Sequence, residues 1–295
     1  MPQLLAILSN SIEQASLYAF LALGVLITFR FFRFPDLTAE GSYPLGGAVA
    51  ATLLVNGVNP FAATAIAMLA GALAGTATAL IHTRLRVNNI ISGIVVMTAL
   101  YSVNLTVMGR ANVSLLAASS VFEDFARAAG LGDTVGTTIL LALILVAIGS
   151  ALLFWFMRTE LGLAVRATGE NEAMIGSLGV DTAWTKMVGL AISNAAIALS
   201  GALVAQDNGF ADIGMGIGIL VTGAAAVMIG ESLFGDGSIL RWIAAVLVGV
   251  LVYELLVVLA LRVGLDPIDL KLVTAALLLA SLSLPRFRTR LLGRP

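Results

Sequence analysis

Apolar runs long enough to cross a bilayer follow one another along almost the whole chain, and one polar island interrupts them near the middle, TELGLAVRATGENEAMIGSLGVDTAWTK over residues 159–186. Hydrocarbon offers no water to backbone N–H and C=O groups, so runs of this kind fold as helices that satisfy their own hydrogen bonds. Of the 295 residues, 59% are hydrophobic and 11% charged. With about 20 residues per span, the expected fold class is all-α: a polytopic membrane protein of about nine transmembrane helices, within a range of eight to ten. One integral domain over residues 1–295 leaves no room for a further soluble domain of ordinary size.

Hydropathy places spans near residues 11–29, 42–58, 61–81, 90–108 and 137–157 before the island, and 187–205, 214–230, 239–261 and 270–284 after it. Asn59-Pro60 and Asp266-Pro267 punctuate neighbouring spans, and Pro285 closes the last. The seventh span carries glycines at 214, 216, 218 and 223, which lower helix propensity and mark a broken or re-entrant helix. The opening MPQLLAILSNSIEQAS has neither the basic n-region nor the small-residue cleavage site of a signal peptide, so the first apolar stretch is expected to be retained.

The 16 basic and 17 acidic residues nearly cancel and give no electrostatic case for nucleic acid. Their placement is more telling. With the N-terminus outside, nine spans put Arg30, Arg33, Arg84, Arg86, Arg158, Arg166, Lys186, Arg241, Arg286, Arg288, Arg290 and Arg294 inside, and only Arg110, Arg127, Arg262 and Lys271 outside. The positive-inside rule selects that orientation, with the island and the C-terminus cytoplasmic.

The chain lacks cysteine, which excludes disulfides, thiol catalysis and cysteine metal sites. It has no G-x-x-x-x-G-K-[ST], and neither Lys186 nor Lys271 follows a glycine-rich turn, so no nucleotide cofactor is expected on it. His82 is the only histidine. Without a second it builds neither a zinc site nor a catalytic pair, and packing or a hydrogen bond at the membrane edge is its expected role. No catalytic or metal-ligating residues are therefore expected.

Two features outside the island carry further expectations. On the opposite face, SSVFEDFARAAG within residues 112–134 reads as a short amphipathic helix that either caps the outer mouth, receives a partner, or lies on the lipid surface. Separately, Phe34, Asp36, Leu37 and Gly47-Ala48 recur as Phe210, Asp212, Ile213 and Gly223-Ala224 at one constant offset, 36 to 212 being 176 residues. Five spans between the copies would set them on opposite faces, as an inverted repeat does, and point to two pore-lining elements. Chance similarity in Gly/Ala-rich sequence is the other reading.

Within the island, Thr168, Gly169, Glu170, Asn171 and Glu172 offer helix-start chemistry with acidic residues in the first turn. Ala173, Met174, Ile175 and Leu178 then supply an apolar stripe, Gly176 lies within it, and Gly179 ends it. A short amphipathic helix across the membrane face follows, or a surface loop with one helical turn. The stretch RATGENEAMIGSLGVDTAWTKMVGLAISNAAIALSGAL, residues 166–203, resembles the coupling-helix loop and following span of permeases in the branched-chain amino acid and ribose importer superfamily of ABC transporters. SLYAFLALGVLITFRFFRFPDLTAEGSYPLGGAVAATLL is similar to that family's N-terminal pattern, and DLTAEGSYPLGGAV to the subgroup associated with tryptophan and related amino acids.

The resemblance implies a prokaryotic plasma-membrane (inner-membrane) subunit that pairs with a second permease copy and receives a small solute, an amino acid at family level, from an extracytoplasmic binding protein. It implies no covalent chemistry on this chain. A cytoplasmic ATPase dimer, carrying the ATP and magnesium, would dock on Arg166 and residues 169–179. Closure of that dimer would rock the spans between inward and outward states.

For the solute path the sequence offers polar residues in or beside spans, which tend to face the bundle interior or a cavity. They are Asp36, Thr38, Glu40 and Ser42 at the first polar step, Asn88, Ser92 and Asn104 on the fourth span, Asn194 on the sixth, and Glu254 near the centre of the eighth. Glu254 reads as a gate residue or as a hydrogen bond across the bundle, and Asn194 and Asn104 equally as amide glue. Gly71 and Gly75 read as a helix-packing face. An ion-coupled secondary transporter relying on Glu254 or Glu40, and a membrane scaffold that moves no solute, are the competing functions.

Overall fold

The computed structural model describes residues 2–132, 135–235, 237–266 and 269–279. Helix α1 (Pro2–Leu26) runs into a π-helical turn at Ile27–Phe31 and an irregular step, followed by α2 (Ala39–Val55), α3 (Pro60–Arg84) and α4 (Asn89–Met108). A short strand β1 (Asn112–Ser114), helix α5 (Val121–Ala128) and the long α6 (Val135–Arg158) lead to the island, which folds as α7 (Glu160–Glu170) and α8 (Glu172–Ser177). Next come α9 (Thr182–Asn208), strand β2 (Phe210–Asp212), a 3-10 turn (Ile213–Gly216), α10 (Ile219–Phe234), α11 (Ile239–Arg262) and α12 (Leu270–Leu279). The two strands pair antiparallel, with Val113 opposite Ala211.

Helix starts follow the local chemistry of the sequence. Asn59 accepts hydrogen bonds from the Phe61 and Ala62 amides with Pro60 in the first turn, and Asn88, Ser120, Thr159, Asp181 and Ser238 cap their helices in the same way. Among the described residues, seven helices are long and apolar enough to cross a membrane. The expected second span is α2, only 17 residues long, and the expected ninth is the short α12. Helix α2 is short because residues 32–38 carry the chain into the bundle as an irregular, non-helical segment before it starts, and most of its side chains are buried in protein. Residues 280–284 of the expected ninth span, Pro267, Pro285 and the arginine-rich tail lie outside the described residues. The seventh span is broken: Gly218, at φ +81°, separates the 3-10 turn from α10.

Helix α9 packs along α1, α2 and α3, and glycine lets the backbones touch. A Cβ at Gly75 would lie 2.1 Å from Leu190 O, and one at Gly201 would lie 1.9 Å from Tyr43 O. Gly71 meets Asn194 O in the same way, so the GALAG face is a packing face. Leu17, Leu21, Val25 and Leu26 of α1 are fully buried among α6, α9, α10 and α11. Helix α5 turns Val121, Phe122 and Ala126 into that core, and Gln206 accepts a hydrogen bond from the Val121 amide at 2.9 Å. Its apolar face therefore covers the end of the bundle rather than lying on lipid.

The two ends of the bundle differ in charge. Arg30 stacks on Trp242 and Arg33 pairs with Glu170, which gathers the 30–33, 158–186 and 237–242 segments at one end. Arg84, Arg86, Arg158, Arg166, Lys186 and Arg241 share that end, and Arg110, Arg127, Arg262 and Lys271 lie towards the other. Among the described residues the split is thus eight to four in the expected sense.

Candidate functional site

The island is mounted on the bundle by ion pairs and caps. Gly169 lies against the backbone of Phe31 and Phe32, where a Cβ would come within 2.5 Å of Phe31 O. Arg33 Nη2 donates to Glu170 Oε1 at 2.7 Å. The Asn171 side chain accepts from the Met174 amide at 3.0 Å, and Ile175 is the one residue of α8 that is buried. Lys186 Nζ stands 2.6 Å from Glu172 Oε1 and 3.0 Å from His82 Nε2, and Thr182 Oγ1 also donates to Glu172. His82 Nδ1 lies 2.8 Å from Val87 O, so the tautomer with its proton on Nδ1 donates there and leaves Nε2 to accept from Lys186. Partial burial pushes the Glu172 carboxyl up, but the hydrogen bond and charge of Lys186 outweigh it, with help from Thr182 and His82, and hold it below its ordinary value.

One expectation for this segment is corrected. The helix starts at the end of the expected 168–172 stretch, at Asn171 and Glu172, and not at Thr168. Glu170 closes α7, Asn171 is extended at φ −156° and serves as C-cap of one helix and N-cap of the next, and α8 covers only Glu172–Ser177. Thr168 cannot cap because its hydroxyl is committed to Ala164 O and to Thr185 Oγ1, both inside the packed interior. Gly179, at φ +88°, does reverse the chain after α8. Ala173, Met174, Gly176 and Leu178 face outward, with Leu178 71% exposed, and Arg166 is half-buried.

The polar residues expected along a path separate into distinct groups. Asp36, Thr38, Ser42 and Asn194 form one closed network. Asn194 Nδ2 donates to Asp36 Oδ2 at 2.7 Å, Ser42 Oγ donates to Asn194 Oδ1 at 2.7 Å, the Thr38 amide donates to Asp36 Oδ1 at 2.9 Å, and Thr38 shares a hydrogen bond with Thr78. All are at most 1% exposed. Asn88 and Ser92 are spent on the start of α4, since Asn88 caps it and the Ser92 hydroxyl donates to Asn88 O. Glu254 is buried on α11 near the stacked Tyr18 and Tyr43.

Glu40 and Asn104 line an open cavity of about 280 Å³ with Gly41, Pro44, Met97, Thr98, Tyr101, Ile213, Gly216 and Ile217. The sequence reading passed over Met97 and Thr98, although Met97, Tyr101 and Asn104 sit at i, i+4 and i+7, one face of α4. The cavity lies where the two echoing segments meet. Asp36 and Asp212 make the same turn, each Oδ1 accepting from the amide two residues on, at 2.9 and 2.7 Å. Each Oδ2 also accepts from an asparagine amide, Asn194 for one and Asn112 for the other. Residue 216 is the counterpart of residue 40 at the 176-residue offset, and a Cβ on Gly216 would fall 2.1 Å from Glu40 O. The echo is thus a repeated local geometry, entered from opposite ends of the bundle.

The sequence profile of the family described as branched-chain amino acid transport system, permease component, matches residues 7–282. The chain is 40% identical over 270 residues to a tyrosine transport system permease protein of Clostridioides difficile (strain R20291), covering 92% of this chain and 88% of that one. It is 29% identical over 211 residues to a probable branched-chain amino acid transport permease protein LivH of Methanocaldococcus jannaschii, covering 67% and 65%. It is 26% identical over 234 residues to the ribose import permease protein RbsC of Escherichia coli (strain K12), covering 78% and 70%. No solved structure matches it.

Proposed function

The chain belongs to the family of branched-chain amino acid transport system permease components, and from that premise we propose that it is the membrane-spanning subunit of a binding-protein-dependent ABC importer for an amino acid, of the aromatic class. The observation that carries the coupling role is the mounting of α8: a short helix held by Glu172–Lys186 and by its Asn171 cap, yet presenting Met174 and Leu178 outward at the arginine-rich end. A lever needs both a rigid root and a free face. The charge split supports a cytoplasmic placement for that end, with the N-terminus outside. An ATPase dimer seated on α8 of two permease copies would pull Lys186 at the start of α9, and α9 is packed by glycine contacts to α2 and α3. Movement there reaches the spans directly. ATP is hydrolysed on the partner, and this chain performs no covalent step. The tyrosine permease relative supports the substrate class.

The test is reconstitution with the ATPase and the extracytoplasmic binding protein encoded beside it. ATP-dependent uptake of an aromatic amino acid is expected. A cysteine at position 178 of this cysteine-free chain should crosslink to the ATPase. Uptake driven by an ion gradient without any ATPase, or crosslinking of position 178 only to external proteins, would overturn the proposal.

A further inference from the structure

The cavity at the repeat junction is furnished for one kind of ligand group. Asn104 is 1% exposed, its Nδ2 donates to Gly41 O at 3.2 Å, and its Oδ1 accepts no hydrogen bond among the described residues. Turning the amide over would set Oδ1 against the Gly41 carbonyl, so the orientation is fixed by that bond. A buried acceptor without a donor is costly and rare in native proteins. The second polar group in the cavity is the half-buried Glu40 carboxylate, which faces the Gly218 amide at the start of α10 and the charge of Lys271. Around these two acceptors the walls are Pro44, Met97, Tyr101, Ile213 and Ile217.

We infer that this cavity is a solute subsite that recognises a primary ammonium group carried on an apolar or aromatic body, with Glu40 supplying the charge and Asn104 Oδ1 a second acceptor. The inference rests on the importer reading and names the substrate chemistry for that path. An ammonium offers donors and no acceptor, the complement of Glu40 and Asn104 Oδ1, while the Thr98 hydroxyl on the same wall donates to Ile94 O and keeps its lone pairs free to accept. A methionine and an aromatic ring beside it suit an apolar body. At about 280 Å³ the space sits at the lower end of ligand sites, which start near roughly 300 Å³, so it fits a small solute. Its position where two broken elements meet is where opposed repeats place a path residue. Two acceptors hold the solute loosely enough for it to move on.

The chain has no cysteine, so Thr98→Cys puts a single thiol on the cavity wall of the full-length permease. A cationic methanethiosulfonate should label it faster than an anionic one. Tyramine should slow the labelling and 3-(4-hydroxyphenyl)propionate should not, and Glu40→Gln should abolish both preferences. In the reconstituted complex Glu40→Gln and Asn104→Leu should lower uptake by about tenfold or more, the size of one charge-assisted hydrogen bond. Binding-protein-stimulated ATP hydrolysis should persist in both, which shows that they fold and assemble. Equal labelling by both reagents, or uptake within twofold of the parent in Glu40→Gln, overturns the subsite and leaves the importer standing. A complex that moves no ammonium-bearing solute overturns both.

Discussion

Asp36 and Glu40 lie four positions apart at the same entry to α2, and their surroundings differ completely. Asp36 is 1% exposed, with Oδ1 closed by the Thr38 amide and Oδ2 by Asn194. Glu40 opens on a cavity also lined by Asn104, whose Oδ1 has no donor among the described residues. The first arrangement is complete without a ligand, and the second is not. A polar residue inside a membrane bundle is therefore glue or path according to whether its hydrogen bonds close within the protein, and residue type alone does not decide it.

The sharpest way to break that distinction is Asn194→Leu, which strips donors or acceptors from Asp36, Ser42 and Leu190 O at once. Interhelical hydrogen bonds in membranes are each modest, but a buried carboxylate left without its donor adds to the loss, and about 3 kcal/mol of destabilisation is expected. Thermal unfolding in detergent would show it. A variant with an unchanged melting temperature would mean that the network is not structural glue.

Next in size is Gly75→Ala. Its Cβ would meet Leu190 O at 2.1 Å, beside the same asparagine. Separating α3 from α9 enough to admit a methyl group should cost about 2 kcal/mol, read from the same melts. Transport should fall in step with folded protein and not below it, which separates a packing glycine from a path residue.

Much of this was legible in the sequence and some was not, for identifiable reasons. Helix positions followed from hydropathy and caps, because a long apolar run in hydrocarbon satisfies its backbone hydrogen bonds within itself as a helix. The break in the seventh span followed from its glycines, and the short helix of the polar island from its capping residues, although Asn171 serving both α7 and α8 moved the boundary by placing Glu170 in the earlier helix. What could not be read was pairing at a distance. Nothing local tells that Lys186 reaches across to both Glu172 and His82, 104 residues away, or that Asn194 closes on Asp36, 158 residues away. For the same reason Asp36 and Glu40 looked alike.

Helix α8 offers a smaller effect with a defined sign. Glu172 is held below its ordinary value of 4.5, so its contribution is fully present above that pH and is lost as pH falls through the lower folded value. Its side chain is 51% exposed, so solvent screening limits the pair to no more than about 1 kcal/mol. Hydrogen exchange in residues 172–177 should rise as pH falls below 4.5 after correction for intrinsic rates, and Lys186→Met should raise it at neutral pH. Protection unchanged in Lys186→Met would show that the cap and Ile175 alone hold the helix.

The smallest expected effect on stability carries the most information about function. Glu40→Gln keeps the shape of the side chain and an oxygen for the Gly218 amide, and it removes only the charge facing the cavity and Lys271. With half the side chain already reaching open space, the melting temperature should shift by no more than the equivalent of about 0.5 kcal/mol, against the large drop for Asn194→Leu. If both variants melt alike, the contrast between closed network and open cavity has no energetic content. If Glu40→Gln is stable and assembled but slow to move solute, then charge at residue 40 serves the passing molecule and not the fold.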